Sequence, residues 1–356
     1  MRKFFLSMII FMISLPVFAG NVPRGMFVWS LEKEPVLSSV GQMERMIAFA
    51  KAQGMDTIFV QVYRGNKSWF ASTVADDEPY RICRKQVGQD PLNLLITKAH
   101  AQGIQVHAWM NMLSLGGNVD APLLKKYGSS ILTKNRDRKK DLADYKIDNQ
   151  YFLESSDRHV IRTCLKLVDE VLTQYPKLDG IQFDYIRYPD VHPFYGYSDD
   201  NIVRYKRAAN KTEVIESDPA WKQWKRDQVT ALLSLLVKEV RSLNPKIHVS
   251  TTGCLSYGRA LDEAMQDWPS WINKGLVEFV TVMNYPPDTA TYQKNIDGIK
   301  LHLADLKKVN MAVGAYKHLK DPNVFKEQLH VCESSESRYC VFFHYNNFLE
   351  NPELSP

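Results

Sequence analysis

Short apolar runs alternate along the chain with longer stretches whose apolar positions recur every three or four residues. The runs read as strands and the longer stretches as amphipathic helices. Strands are expected at Gly25 to Ser30, Met55 to Tyr63, Ile104 to Met112 and Leu178 to Tyr188, then at Lys246 to Gly253, Phe279 to Tyr285, Met311 to Tyr316 and Tyr339 to Asn346. The helices between them are expected at Val40 to Gln53, Pro91 to Gln102, Arg158 to Gln174, Ala220 to Leu243, Leu261 to Asn273, Tyr292 to Leu306 and Asn323 to Cys332. Strict strand/helix alternation implies a parallel sheet. Eight such units close a (β/α)8 TIM barrel of the α/β class. Gly54 and Gly103 stand just before strands two and three, where a helix should end. The alternative, a doubly wound open sheet, lacks a GxGxxG after the first strand. No Pro/Ser/Gly tract divides the chain, so residues 20–356 are expected to form one domain with long inserts after strands two, three and four.

In such a barrel the site lies at the C-terminal ends of the strands. Side chains alternate between the helix layer and the lumen, so apolar phases identify the polar residues that point inward. Strand four sends Ile181, Phe183 and Tyr185 toward helices and Gln182 and Asp184 inward. Strand three sends Val106, Ala108 and Met110 outward and His107, Trp109 and Asn111 inward. Strand two gives Gln61 and Tyr63. Strand six gives Asn284 on the Val280–Val282 phase, with Tyr285 within reach of the mouth. Strand eight gives His344 and Asn346. His107 and Gln182 lie deeper, where a satisfied polar layer accounts for them as well as function does. Trp29, Trp109, Tyr63, Tyr188 and Tyr285 are candidates for stacking on sugar rings.

Composition narrows the partners. Arg2 and Lys3, the apolar run Phe4 to Val17 and the small-residue site ending at Ala19 read as a secretory signal peptide over residues 1–19. A periplasmic or secreted, non-membrane-spanning monomer is expected. Without Arg2 and Lys3 the formal charge falls from +5 to +3, too mild for nucleic acid. The basic run Lys134 to Lys140 reads as a solvated loop, or as a patch for an anionic glycan. Of five cysteines, Cys332 and Cys340 flank a short polar loop and are the expected disulfide. No Cys/His spacing suggests a metal, and no cofactor is expected.

"YFLESSDRHVIRTCLKLVDEVLTQYPKLDGIQFDYIRYP", residues 151–189, resembles the signature block of the family 10 glycosylhydrolase-like proteins, a glycosidase-type family of bacterial envelopes. That pattern ends "DGI-x-x-DY-x-RYP". "AHAQGIQVHAWMNM" (99–112) resembles the family's third strand and "RGMFVW" (24–29) its first. The resemblance implies a (β/α)8 barrel that hydrolyses glycosidic bonds of a polysaccharide or oligosaccharide; some relatives act on peptidoglycan strands stripped of peptide. It carries Asp184 over as the catalytic carboxylate, with Arg187 and Tyr188 as companions that shape the loop or bind sugar. The chain departs from the family at "SLEKEP" after strand one, where an Asp-Trp-Pro-like sequence is common, and at Leu153-Glu154-Ser155, in place of a Leu-Asp-Pro-like turn. Strand five ends "STTG" without a carboxylate.

Glycoside hydrolysis needs two carboxyl groups, one to protonate the leaving oxygen and one as nucleophile or base. Arg187 beside Asp184 would favour the ionised form, which suits a nucleophile or base. The acid then needs a less polar setting. Glu34 is favoured, followed by Asp288; Glu32, Asp262 and Glu263 also lie on the expected face. Sugar-binding candidates are Arg187, Tyr188, Asn111, Trp109, Tyr63, Gln61, Asn284, Tyr285 and His344. The competing readings are a glycan-binding barrel without catalysis, a hydrolase of exopolysaccharide or α-glucan, and another barrel hydrolase such as a deacetylase or metal enzyme.

Overall fold

A computed structural model describes residues 22–31, 35–137, 142–191, 194–303 and 305–356. The expected leader, residues 1–19, lies outside them. Eight parallel strands follow in chain order: β1 (Arg24–Val28), β2 (Met55–Arg64), β3 (Gln105–Asn111), β4 (Gly180–Asp184), β5 (His248–Gly253), β6 (Phe279–Val282), β7 (Val309–Gly314) and β8 (Tyr339–Phe343). Each pairs with its chain neighbours, and β1 pairs with both β2 and β8, which closes the sheet. This closure distinguishes a barrel from an open doubly wound sheet.

The principal helices are α1 (Val40–Ala52), α2 (Pro91–His100), α3 (Arg158–Gln174), α4 (Pro219–Leu243), α5 (Trp268–Asn273), α6 (Thr289–Lys300), α7 (Pro322–Glu333) and α8 (Tyr345–Glu350). The helix expected from Leu261 is split, with Tyr257–Asp262 preceding α5. Local chemistry sets these boundaries. The Asp157 side chain accepts from the backbone N–H of His159 and Val160 and so starts α3. Val160, Cys164, Leu167, Val168 and Val171 then bury one stripe of α3 against the barrel. Gly54 and Gly103 adopt φ of +66° and +72° after α1 and α2, the left-handed conformation that ends a helix.

Two cores result. The larger lies between strands and helices and takes up Val106, Ala108, Met110, Ile181 and Phe183. The smaller fills the lumen with Phe27, Phe59, Trp109, Phe279 and Val341. Gly180 allows this filling on β4: a Cβ there would stand 2.0 Å from His107 Nδ1. The inserts after β2, β3 and β4 carry short elements, including an antiparallel pair, Ser114–Gly116 with Tyr151–Phe152. Tyr197, Ile202, Tyr205 and Trp221 make a satellite core under the third insert. Cys332 and Cys340 are joined as a disulfide. In the basic run, Lys134 pairs with Asp199 and Arg136 with Glu216, and residues 138–140 lie outside the described part.

Candidate active site

β4 is half as long as its apolar run suggests. Tyr185 takes a φ of +56° and turns the chain directly after Asp184. Asp184 therefore sits at the last inward position of the strand, only 5% exposed. Its carboxylate accepts three hydrogen bonds. Trp109 Nε1 donates to Oδ2 at 3.0 Å, while the Tyr185 backbone N–H at 2.7 Å and the Thr252 hydroxyl at 2.5 Å donate to Oδ1. Three donors converging on two oxygens suit a carboxylate anion. Asn111 pairs in register with Asp184 and accepts from Gln61 Nε2 at 3.2 Å, so an amide layer lies beside the carboxylate.

Aromatic rings surround this centre. Phe343 lies 5.5 Å from the Tyr285 ring and 6.0 Å from that of Trp109, and Tyr316 stands 5.7 Å from Tyr285. The Tyr285 hydroxyl keeps its proton more tightly than usual, first because of burial and then because of Tyr316 and Asp184. Trp29 meets His344 edge to face at 5.0 Å. Burial brings the His344 imidazole down to about 4, leaving a neutral ring at the mouth. Rings of this kind pack against the C–H faces of sugars.

The remaining candidates are placed differently. On β2 a bulge inserts Val62, so that Gln61 opposes Trp109 while Tyr63 opposes Met110. Tyr63 is thereby turned into the helix-side core, where Asn66 Nδ2 donates to its hydroxyl, and Arg64 is turned toward the mouth instead. Asn284 continues the outward Val280–Val282 phase and is spent on the Tyr292 carbonyl and the Asn295 side chain. Tyr188 is buried, with its hydroxyl donating to Glu154 and its backbone N–H to the Ala264 carbonyl, so it braces the insert after β4. Arg187 does not pair with Asp184. It binds Asp190 at 2.6 Å and lies 4.6 Å over the Tyr185 ring.

The carboxyl candidates separate in the same way. Asp288 is exposed and caps α6, accepting from the Thr291 backbone N–H and hydroxyl at 2.8 Å each. Those bonds lower its pKa, the opposite of what a general acid requires. Asp262 faces Lys222 and Arg226, and Glu263 faces Arg259. Glu32 and Glu34 lie outside the described residues. Burial raises the pKa of Glu154, which is closed off beneath Tyr188 and 1% exposed.

Sequence reasoning missed Arg64, Thr252, Phe343 and Tyr316. Thr252 was within reach, since it lies on the lumen phase of "STTG" opposite Asp184.

Fold and site together define the class, a closed (β/α)8 barrel with a buried aspartate at the end of its fourth strand. The chain belongs to the glycosyl hydrolase-like 10 family, whose model matches residues 23–330. Glycosyl hydrolase DigH of Escherichia coli (strain K12) is 21% identical over 295 residues, 76% of this chain and 62% of its own length. The chain thus spans under two thirds of that relative. Among solved structures, the catalytic domain of β-amylase from Paenibacillus polymyxa superposes with a TM-score of 0.62 at 12% identity, covering 94% of this chain and 95% of that one. β-Galactosidase from the psychrophilic Marinomonas ef1 superposes with a TM-score of 0.63 at 12% identity, covering 91% and 54%. At this identity the likeness concerns the fold.

Proposed function

We propose that the protein is an exported glycoside hydrolase that cleaves bacterial envelope glycans, with peptide-stripped peptidoglycan as the substrate, and that Asp184 is its nucleophile or base. The observation that carries this reading is the environment of Asp184. A carboxylate at a strand end is held by Trp109, Thr252 and the Tyr185 backbone, and ringed by aromatic side chains. Fixed donors orient the carboxylate toward the reacting carbon without reorganisation. The rings supply the stacking that positions a sugar. Glu34, five residues after Trp29 in the sequence, serves as the acid in this reading. The Cys332–Cys340 bond supports export, since disulfides persist in oxidising compartments.

A second reading, a barrel that holds glycans without cutting them, draws on the position of Asp288. With that carboxylate committed to a helix cap, the described candidates supply no acid at the mouth.

Product analysis by mass spectrometry on stripped peptidoglycan, chitin oligomers and α-glucans separates the two. The hydrolase reading expects cleavage of the first, lost by roughly 10³-fold or more in Asp184→Asn and in Glu34→Gln. Tight binding without products would establish the binding barrel, and an Asp184→Asn protein with wild-type turnover would remove Asp184 from the mechanism.

A further inference from the structure

Arg64 is the residue at the mouth whose chemistry the site has not used. The Val62 bulge turns it inward, and its guanidinium lies 5.1 Å over the Trp29 ring. It is half-buried, and among the described residues no carboxylate or carbonyl accepts from it. A buried cation is ordinarily paired. No ion pair joins it to Asp184, whose oxygens accept from Trp109, Thr252 and the Tyr185 backbone. Arg187, the other arginine nearby, is committed to Asp190.

Stacking on Trp29 occupies the face of the guanidinium and leaves its N–H edge open. That edge is a planar fork matched to a planar anion. Burial lowers the pKa of Arg64, while the charges of Tyr185 and Asp184 work to keep it protonated, which places all three within electrostatic reach.

We propose that Arg64, seated on Trp29, is an anion subsite that receives a carboxylate carried by the substrate glycan. The inference rests on the hydrolase reading for its substrate and deepens it. Removal of the stem peptide from peptidoglycan frees a lactyl carboxylate on each muramic acid; with the peptide attached, that group is a neutral amide. Arg64 would therefore distinguish stripped from peptide-bearing strands. Uronic acid residues of an exopolysaccharide present the same chemistry from another source.

The test compares stripped peptidoglycan strands with the same strands after conversion of their carboxylates to methylamides, and with an oligouronide. Cleavage is read by reducing-end release, and binding is read by calorimetry on the same panel. The wild-type protein should prefer the carboxylate strands by roughly 10- to 100-fold, the range of a charge-assisted contact. Arg64→Gln should abolish that preference, and Arg64→Lys should retain part of it. Any support that Arg64 lends to the Asp184 charge affects both strands equally and cancels in the ratio. Equal treatment of the two strands by wild type, or an unchanged ratio in Arg64→Gln, overturns the proposal; the wild-type ratio needs no variant to fold. Cleavage of neither strand overturns the hydrolase reading, and the binding ratio then decides the anion subsite alone. Preference for the oligouronide over the stripped strands would keep the subsite and replace peptidoglycan as its source.

Discussion

Trp109 Nε1 donates a 3.0 Å hydrogen bond to Asp184 Oδ2, linking the lumen layer one step below the end of β3 to the carboxylate at the end of β4. Trp109→Phe keeps a ring in the lumen and removes the donor. Hydrogen bonds to charged groups contribute about 1.5–3 kcal/mol, so kcat on stripped strands should fall about tenfold or more with the circular dichroism spectrum unchanged. A wild-type kcat would mean that this bond does not serve the reaction.

Tyr63 and Asn284 point to the helix layer, which separates their stability role from any sugar contact. Tyr63→Phe deletes a hydroxyl that accepts from Asn66 at 3.3 Å and should cost at most about 1 kcal/mol in urea melts. Asn284→Ala leaves the Tyr292 carbonyl and the Asn295 amide without their partner and should cost about 2 kcal/mol. Neither should change KM, whereas Tyr285→Ala should raise it. A tenfold rise in KM for Tyr63→Phe would place that ring in the substrate path.

Gly180 and His107 are a matched pair. With 2.0 Å between an added Cβ and His107 Nδ1, Gly180→Ala should destabilise by about 3 kcal/mol. Combined with His107→Ala, which clears the space, the double variant should lose at least about 1 kcal/mol less than the sum of the single losses. Strict additivity in that cycle would contradict the contact.

His107 also sets a pH dependence. Burial lowers its imidazole to about 3, helped by His248 stacked at 6.1 Å and by Arg338. Unfolded, it titrates near about 6.5, so between those values the unfolded chain binds the extra proton. Stability from this residue is complete above the unfolded value and is lost as pH falls toward the folded one. From neutral pH to pH 5 the loss should be about 2 kcal/mol. Urea melts of wild type and His107→Leu at the two pH values measure it as a difference of slopes; equal slopes would reverse the assignment.

The sequence was legible where strands are regular. On β3, Val106, Ala108 and Met110 face helices while Trp109 and Asn111 face the lumen, as simple alternation requires. It failed where the backbone leaves that rule. Phe59, Gln61 and Tyr63 look like one phase, but the inserted Val62 divides them. The fourth strand ends sooner than its apolar pattern, because Tyr185 takes a left-handed φ directly after Asp184. Asn284 differs for another reason: it shares the outward phase of Val280 and Val282, and its polarity serves the Tyr292 carbonyl and Asn295 on the helix side. The role of Arg187 was inferred from closeness in sequence, and Asp190, three residues on, is the nearer carboxylate in space.

The bulge at Val62 acts as a shift of reading frame for side chains. Upstream of it every second residue of β2 enters the lumen, and downstream the count begins again one position later. On a regular strand that kept Val62, the same residues would exchange a cation for a phenol at the mouth, with Tyr63 coming in and Arg64 going out; deleting Val62 would remove the bulge and leave Tyr63 out and Arg64 in. The charge of this site is therefore written in the bulge as well as in the letters of the strand: it is the extra residue, and not the order of Tyr63 and Arg64 alone, that decides which of them meets the substrate.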